Sequence, residues 1–169
     1  MLKTSAMRFN AYLCLQSALA VALGLYCAAA DAEIRLVDDN GQTVVLKAPA
    51  QRIISLAPHV TELLYTAGAG ELIVGAVEYS NYPESAKKIP RVGSNVQLDL
   101  ERIVALKPDL IVVWMHGNAQ RQLDKLLKLG FPVFYNEPHR LSDIARSIKQ
   151  FGQLAGTETV AEPAGGGGG

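Results

Sequence analysis

Two cysteines occur in 169 residues, and both, Cys14 and Cys27, lie within the first 32. Downstream of them neither a disulfide nor a thiolate metal site can form, so whatever folds there is held by packing. An excess of one charge is missing too: beyond residue 32 the chain carries 14 lysines and arginines against 15 aspartates and glutamates. A net charge near −1 excludes the basic footprint that nucleic-acid binding needs. The catalytic signatures are absent as well. No Gly-x-Gly-x-x-Gly follows a strand pattern, and there is no Gly-x-Ser-x-Gly elbow, Walker loop or His-Glu-x-x-His pair. Without a paired nucleophile and base or a ligand cluster, we expect neither an enzyme nor a resident cofactor or metal.

What is present begins with a leader pattern. Lys3 and Arg8 precede an apolar stretch from Ala11 to Cys27, and the small-residue run Ala28-Ala29-Ala30-Asp31-Ala32 follows. This order reads as a secretory signal peptide over residues 1–32, cut after Ala32, with the mature chain in the periplasm. Gln16 and Ser17 interrupt a stretch already short of the roughly 20 apolar residues that span a bilayer. Tyr26 is too bulky to precede a lipidated Cys27, so no lipid anchor is expected. The 137 residues that remain suffice for one domain with its own core. Residues 157–169 end in five glycines, lack apolar periodicity and read as a flexible tail.

Residues 33–50 read as a hairpin at the domain's edge: Ile34 to Val37 and Thr43 to Leu46 flank Asn40-Gly41, two residues that tolerate the positive φ of a tight turn. From Gln51 the pattern alternates. Strands are predicted at Ile53–Leu56, Leu72–Val77, Leu110–Trp114 and Val133–Tyr135. Helical stripes lie between and after them: Val60, Leu63, Leu64 and Ala67; Leu100, Ile103 and Val104 behind an Asp99 cap; Ala119, Leu123, Leu126 and Leu127; and Leu141, Ile144, Ala145, Ile148 and Phe151. Strand and helix in alternation predict an α/β fold, a parallel sheet with helices on both faces, over residues 51–156. In such sheets ligands gather at the strands' carboxyl ends. Here those ends are Ala57-Pro58-His59, Glu78 to Tyr82, Met115 to Asn118 and Asn136-Glu137.

Several runs are similar to a known family: Arg52 to Pro58 with Thr61-Glu62, Tyr79-Ser80-Asn81-Tyr82-Pro83, Leu100 to Leu110, and Gly117-Asn118-Ala119 with Arg121-Gln122. In these the chain resembles the N-terminal lobe of cobalamin-binding receptors, in the helical-backbone metal-receptor family (class III periplasmic binding proteins) of ABC importers. The strand and helix portions are shared with siderophore and haem receptors; Tyr79 to Pro83 and the Gly117-Asn118-Ala119 turn lean toward cobalamin. The resemblance implies a Rossmann-like lobe that closes on one face of a corrinoid while a second lobe, absent here, closes on the other. It also implies a monomer whose partners are the ligand and an inner-membrane ABC permease.

On that resemblance Tyr79 is assigned to ligand contact first, since a flat ring suits a flat macrocycle. Pro58 and His59 share the same end of the sheet. Asn95 stands where the family's tryptophan is expected, and Trp114 and His116 complete the candidate ligand-binding set, Trp114 being read chiefly as core. Glu101, in the first turn after Asp99, is the candidate permease-docking residue. Arg121, Gln122, Asp124 and Lys128 are read as exposed helix surface.

Overall fold

The computed structural model describes residues 33–116 and 120–166. The predicted signal peptide and the Gly117-Asn118-Ala119 turn lie outside them. Strands β1 (Ile34–Val37) and β2 (Thr43–Leu46) form the antiparallel hairpin. The lobe follows as β3 (Ile53–Ser55), α1 (Pro58–Thr66), β4 (Ile73–Ala76), α2 (Leu100–Ala105), β5 (Leu110–Trp114), α3 (Gln120–Lys128), β6 (Val133–Asn136) and α4 (Leu141–Ala155). Short 3₁₀ turns occupy Gly70–Leu72 and Glu84–Lys88. Residues expected to be a loose tail instead form α5 (Glu158–Ala164). It packs on α4, where Ala161 is buried and Gly152 leaves room for it: a Cβ on that glycine would fall 2.3 Å from the Ala161 methyl.

Strands β4, β3, β5 and β6 lie side by side in that order, all parallel. Alternation along each strand sends side chains to opposite faces. Ile53, Leu110, Val112 and Phe134 face one core with α1, α4 and α5, where Phe134 meets Phe151 edge to face at 6.1 Å. Ile54, Ile111, Val113 and Val133 face the other, closed by Ile103 of α2 and by Leu123 and Leu126 of α3. The apolar stripes are right in their centres and too wide at their margins. Val104, Leu127, Leu141 and Ile144 were expected to point inward and are exposed, Leu141 by 85%. Gln122, expected on the surface, is half-buried: its amide grips Leu98 from both sides, accepting from the backbone N–H at 2.9 Å and donating to the carbonyl at 3.1 Å.

The hairpin differs from a two-residue turn. Residues 38–42 form a longer loop in which Gly41 alone takes positive φ, at 75°, and Asn40 does not. Asp38 explains why. Its buried carboxylate accepts from the N–H groups of Asn40 (3.0 Å) and Gln42 (2.8 Å), closing the loop on itself. The second carboxylate oxygen accepts from the Tyr135 N–H of β6 at 3.1 Å, and Asp39 N–H donates to the Tyr135 carbonyl at 3.0 Å. The hairpin loop thus satisfies the outer edge of the last strand. Asp38→Ala strips three backbone amides of their acceptor, and urea unfolding should show a loss of about 2–3 kcal/mol, the scale of buried donors left unmade. A loss under half that would mean water replaces the carboxylate.

Candidate functional site

Because the four strands are parallel, their carboxyl ends form one rim. Tyr79 stands beyond β4. Its backbone takes φ 66°, rare for a residue with a side chain, and the residue is 80% exposed. The flanking chain enforces this: Glu78 N–H donates to the Gly93 carbonyl at 2.8 Å, and the Arg91 guanidinium holds the Ser80 carbonyl at 2.8 Å and Asn81 Oδ1 at 3.1 Å. A strained, exposed aromatic held from both sides is the kind of feature found at ligand clamps. Asn95 lies in the following loop, exposed.

Pro58 opens α1 at a position where its missing N–H costs nothing, and His59 follows it, half-buried. Its ring meets Trp114, at the end of β5, edge to face with centroids 5.5 Å apart. Trp114, read chiefly as core, is only half-buried and belongs to the rim. Its indole N–H donates to Glu137, just past β6. Glu137 also accepts from His116, from the backbone N–H at 3.3 Å and the ring Nδ1 at 3.2 Å. The fold therefore brings His59, Trp114 and His116 together around a carboxylate that the sequence reading named only as a strand end. The Asp39 carboxylate fixes it there by accepting the Glu137 N–H at 2.7 Å. His59, Glu62, Leu63, Trp114, Glu137 and Ile144 line a pocket of about 410 Å³. A larger groove, of about 590 Å³, runs along β2 and β6; Tyr135 is its one ionisable lining residue among those described.

Glu101 is exposed in the first turn of α2, behind Asp99, whose carboxylate caps the helix by accepting the Arg102 N–H at 3.0 Å. At the helix's other end the Leu106 carbonyl accepts the Arg52 guanidinium at 2.9 and 2.7 Å, beside the amino end of β3. Helix α2 runs counter to the strands, so Glu101 sits at the rim end.

Burial holds the His59 imidazole below its ordinary value of 6.5, against the pull of Glu137 and Glu62. For Glu137, burial pushes the carboxyl up, but the hydrogen bonds from Trp114 and His116 together outweigh it and hold the group below 4.5. Both shifts link stability to pH, in separate windows. A half-buried ring that resists protonation gives stability fully present above 6.5 and lost as the pH falls toward the folded value. A carboxyl with a depressed value gives stability present above 4.5 and lost as the pH falls through its folded value. In a pH series of urea midpoints, His59→Gln should flatten the upper window, while Glu137→Gln should flatten the lower and widen the upper, because the charge that pulls the His59 value up is gone. Profiles parallel to the parent in both variants would overturn these assignments.

Residues 53–164 match the model of a family described as periplasmic binding protein. The vitamin B12-binding proteins of Yersinia pestis (strain Pestoides F) and Yersinia pseudotuberculosis (serotype O:1b, strain IP 31758) are each 49% identical over 106 residues, 63% of this chain and 38% of theirs. The crystal structure of the periplasmic vitamin B12 binding protein of Vibrio cholerae superposes with a TM-score of 0.67 at 42% identity, covering 69% of this chain and 46% of that one. A periplasmic heme binding protein from Pseudomonas aeruginosa gives 0.64 at 26% identity, over 69% and 42%. The chain spans under half the length of these relatives, whose names describe binding proteins. With its parallel sheet, its helices on both faces and a family match over most of its length, the chain belongs to the periplasmic binding protein family.

Proposed function

We propose that this chain supplies the ligand-facing lobe of a periplasmic receptor that captures cobalamin or a related corrinoid and delivers it to an ABC permease in the inner membrane. The observation that carries the reading is Tyr79: a ring 80% exposed, on backbone held at φ 66°, at the carboxyl rim of a parallel sheet. Such a ring offers a flat apolar platform at low entropic cost. The vitamin B12-binding names of the relatives at 49% and 42% identity supply the ligand class. In this reading Pro58, His59, Trp114 and His116 border the same face, and Asn95 sits on the adjoining loop. A heme binding protein at 26% identity shares the fold, so the ligand is decided by the rim's chemistry and not by the sheet.

One lobe encloses one face of a ligand, and enclosure from both sides supplies most of a pocket's contact. The chain alone should therefore bind cyanocobalamin at least about tenfold more weakly than a two-lobed relative. Within a two-lobed receptor carrying this lobe, Tyr79→Ala should cost about 1–3 kcal/mol of affinity by isothermal titration, the range for a buried aromatic anchor. An unchanged affinity removes Tyr79 from the site.

Glu101 carries the second half of the proposal. Exposed at the rim end of α2, it is placed to meet a basic group of the permease. In the two-lobed receptor Glu101→Arg should leave corrinoid affinity intact, slow docking to permease vesicles and weaken its salt dependence, because steering charges act on association. Uptake and docking equal to the parent's would leave Glu101 as a helix-end charge only.

A further inference from the structure

The pocket beside His59 has a charge pattern that the proposal above does not use. Its ionisable lining residues are two glutamates, Glu62 and Glu137, and the half-buried His59; no lysine or arginine lines it among the described residues. Glu137 is a fixed anion in a poorly solvated position: its side chain is only 10% exposed, and Trp114, His116 and Asp39 hold the residue from three directions. The neighbouring guanidinium of Arg146 is already shared between Asp39 (3.0 Å) and Asp143 (2.9 Å), which leaves Glu137 without a lasting counter-charge from that side. His116 offsets the carboxylate only when protonated, and its own ring is 68% in solvent. A carboxylate so placed accepts N–H groups from an uncharged amide and repels another carboxylate, and the low local dielectric strengthens both effects.

We propose that Glu137, seconded by Glu62, is a charge filter at the rim: it admits tetrapyrroles whose periphery carries carboxamides and rejects those whose periphery carries carboxylates. The inference rests on the reading of the chain as a tetrapyrrole-capturing lobe and names the residue by which that lobe chooses. Rejection of the wrong ligand by a like charge is the cheaper half of specificity, since it requires no added contact with the right one.

The test keeps the macrocycle constant and varies only its periphery. Dicyanocobinamide carries carboxamides where dicyanocobyrinic acid carries carboxylates, and both are titrated into the full chain by absorbance. The parent chain should prefer the amide form, and the preference should fall as salt rises. Glu137→Gln, which keeps an acceptor and removes the charge, should shrink the ratio of the two affinities by about tenfold, the scale of one screened like-charge repulsion. Glu62→Gln, a change on an exposed helix face that threatens the fold little, should shrink it by a smaller factor. The ratio does not depend on how much of a variant folds. If the parent binds the amide form and neither substitution moves the ratio, the filter is wrong and the receptor reading stands. If the parent chain is too weak to bind either corrinoid, the same ratios are read in a two-lobed receptor carrying this lobe; failure to bind either form there overturns the receptor reading, and the filter falls with it.

Discussion

Four strands running the same way are the constraint on which the rest of this molecule depends. Because β4, β3, β5 and β6 are parallel, residues as distant in sequence as His59, Tyr79, Trp114 and Glu137 all arrive at one edge of the sheet. Parallel pairing in turn demands crossovers, and the crossovers cover both faces with helices. Fully buried strands such as Leu110–Val113 follow from that covering. The apolar layers stabilise the lobe, and the rim is where they stop. Two of the buried side-chain atoms without a hydrogen-bond partner, His59 Nε2 and Asn136 Oδ1, lie there, next to the residues that pair. Departures from full polar satisfaction at a strand-end cleft mark the part of a fold shaped by something other than packing.

The hairpin has a role that an edge decoration would not have. Asp38 and Asp39 are consecutive residues of its loop, and between them they occupy the Tyr135 N–H and carbonyl and the Glu137 N–H. The outer edge of β6 is thereby finished, and the strand's exit is fixed. Asn136 adds a buried tie to Ser147 of α4 at 2.7 Å, so the turn carrying Glu137 is held from the hairpin and from the helix. Glu137 in turn orients the indole of Trp114 and the ring of His116. A chain of polar contacts, buried at Tyr135 and at Ser147, thus leads from a surface loop to the pocket wall, which is how a carboxylate with little solvent remains ionised and in place.

Much of this was legible in the residues. Apolar runs separated by helical stripes gave every strand of the sheet within a residue or two, and Asp99 was readable as a cap because its carboxylate needs only the N–H three residues on. The strand ends were readable as a rim for the same local reason. What failed were the margins and the pairings. Val104, Leu127, Leu141 and Ile144 fit a helical stripe but stand at its margin, exposed, and Ile144 borders the pocket rather than the core. Gln122 looks like a surface glutamine until Leu98 arrives beside it from another loop. The segment after Gly156 has no stripe of its own, yet it folds because α4 offers a glycine for Ala161 to fill.

The sequence by itself determined the strands of the sheet, the helices as far as α4 and their order, because these depend on period and on neighbours within a few residues. Family membership was likewise visible in runs of consecutive residues. Only the tertiary structure decided that His59 and Trp114 touch and that Glu137 is the carboxylate they gather around. The same holds for Asp39, which comes from a hairpin about a hundred residues earlier to hold Glu137 in place. Those facts depend on distances between elements, which are set by how two cores of fixed volume pack against one sheet. No local pattern encodes them, since the same glutamate after the same strand would be a solvated charge if the hairpin loop lay a few ångströms away.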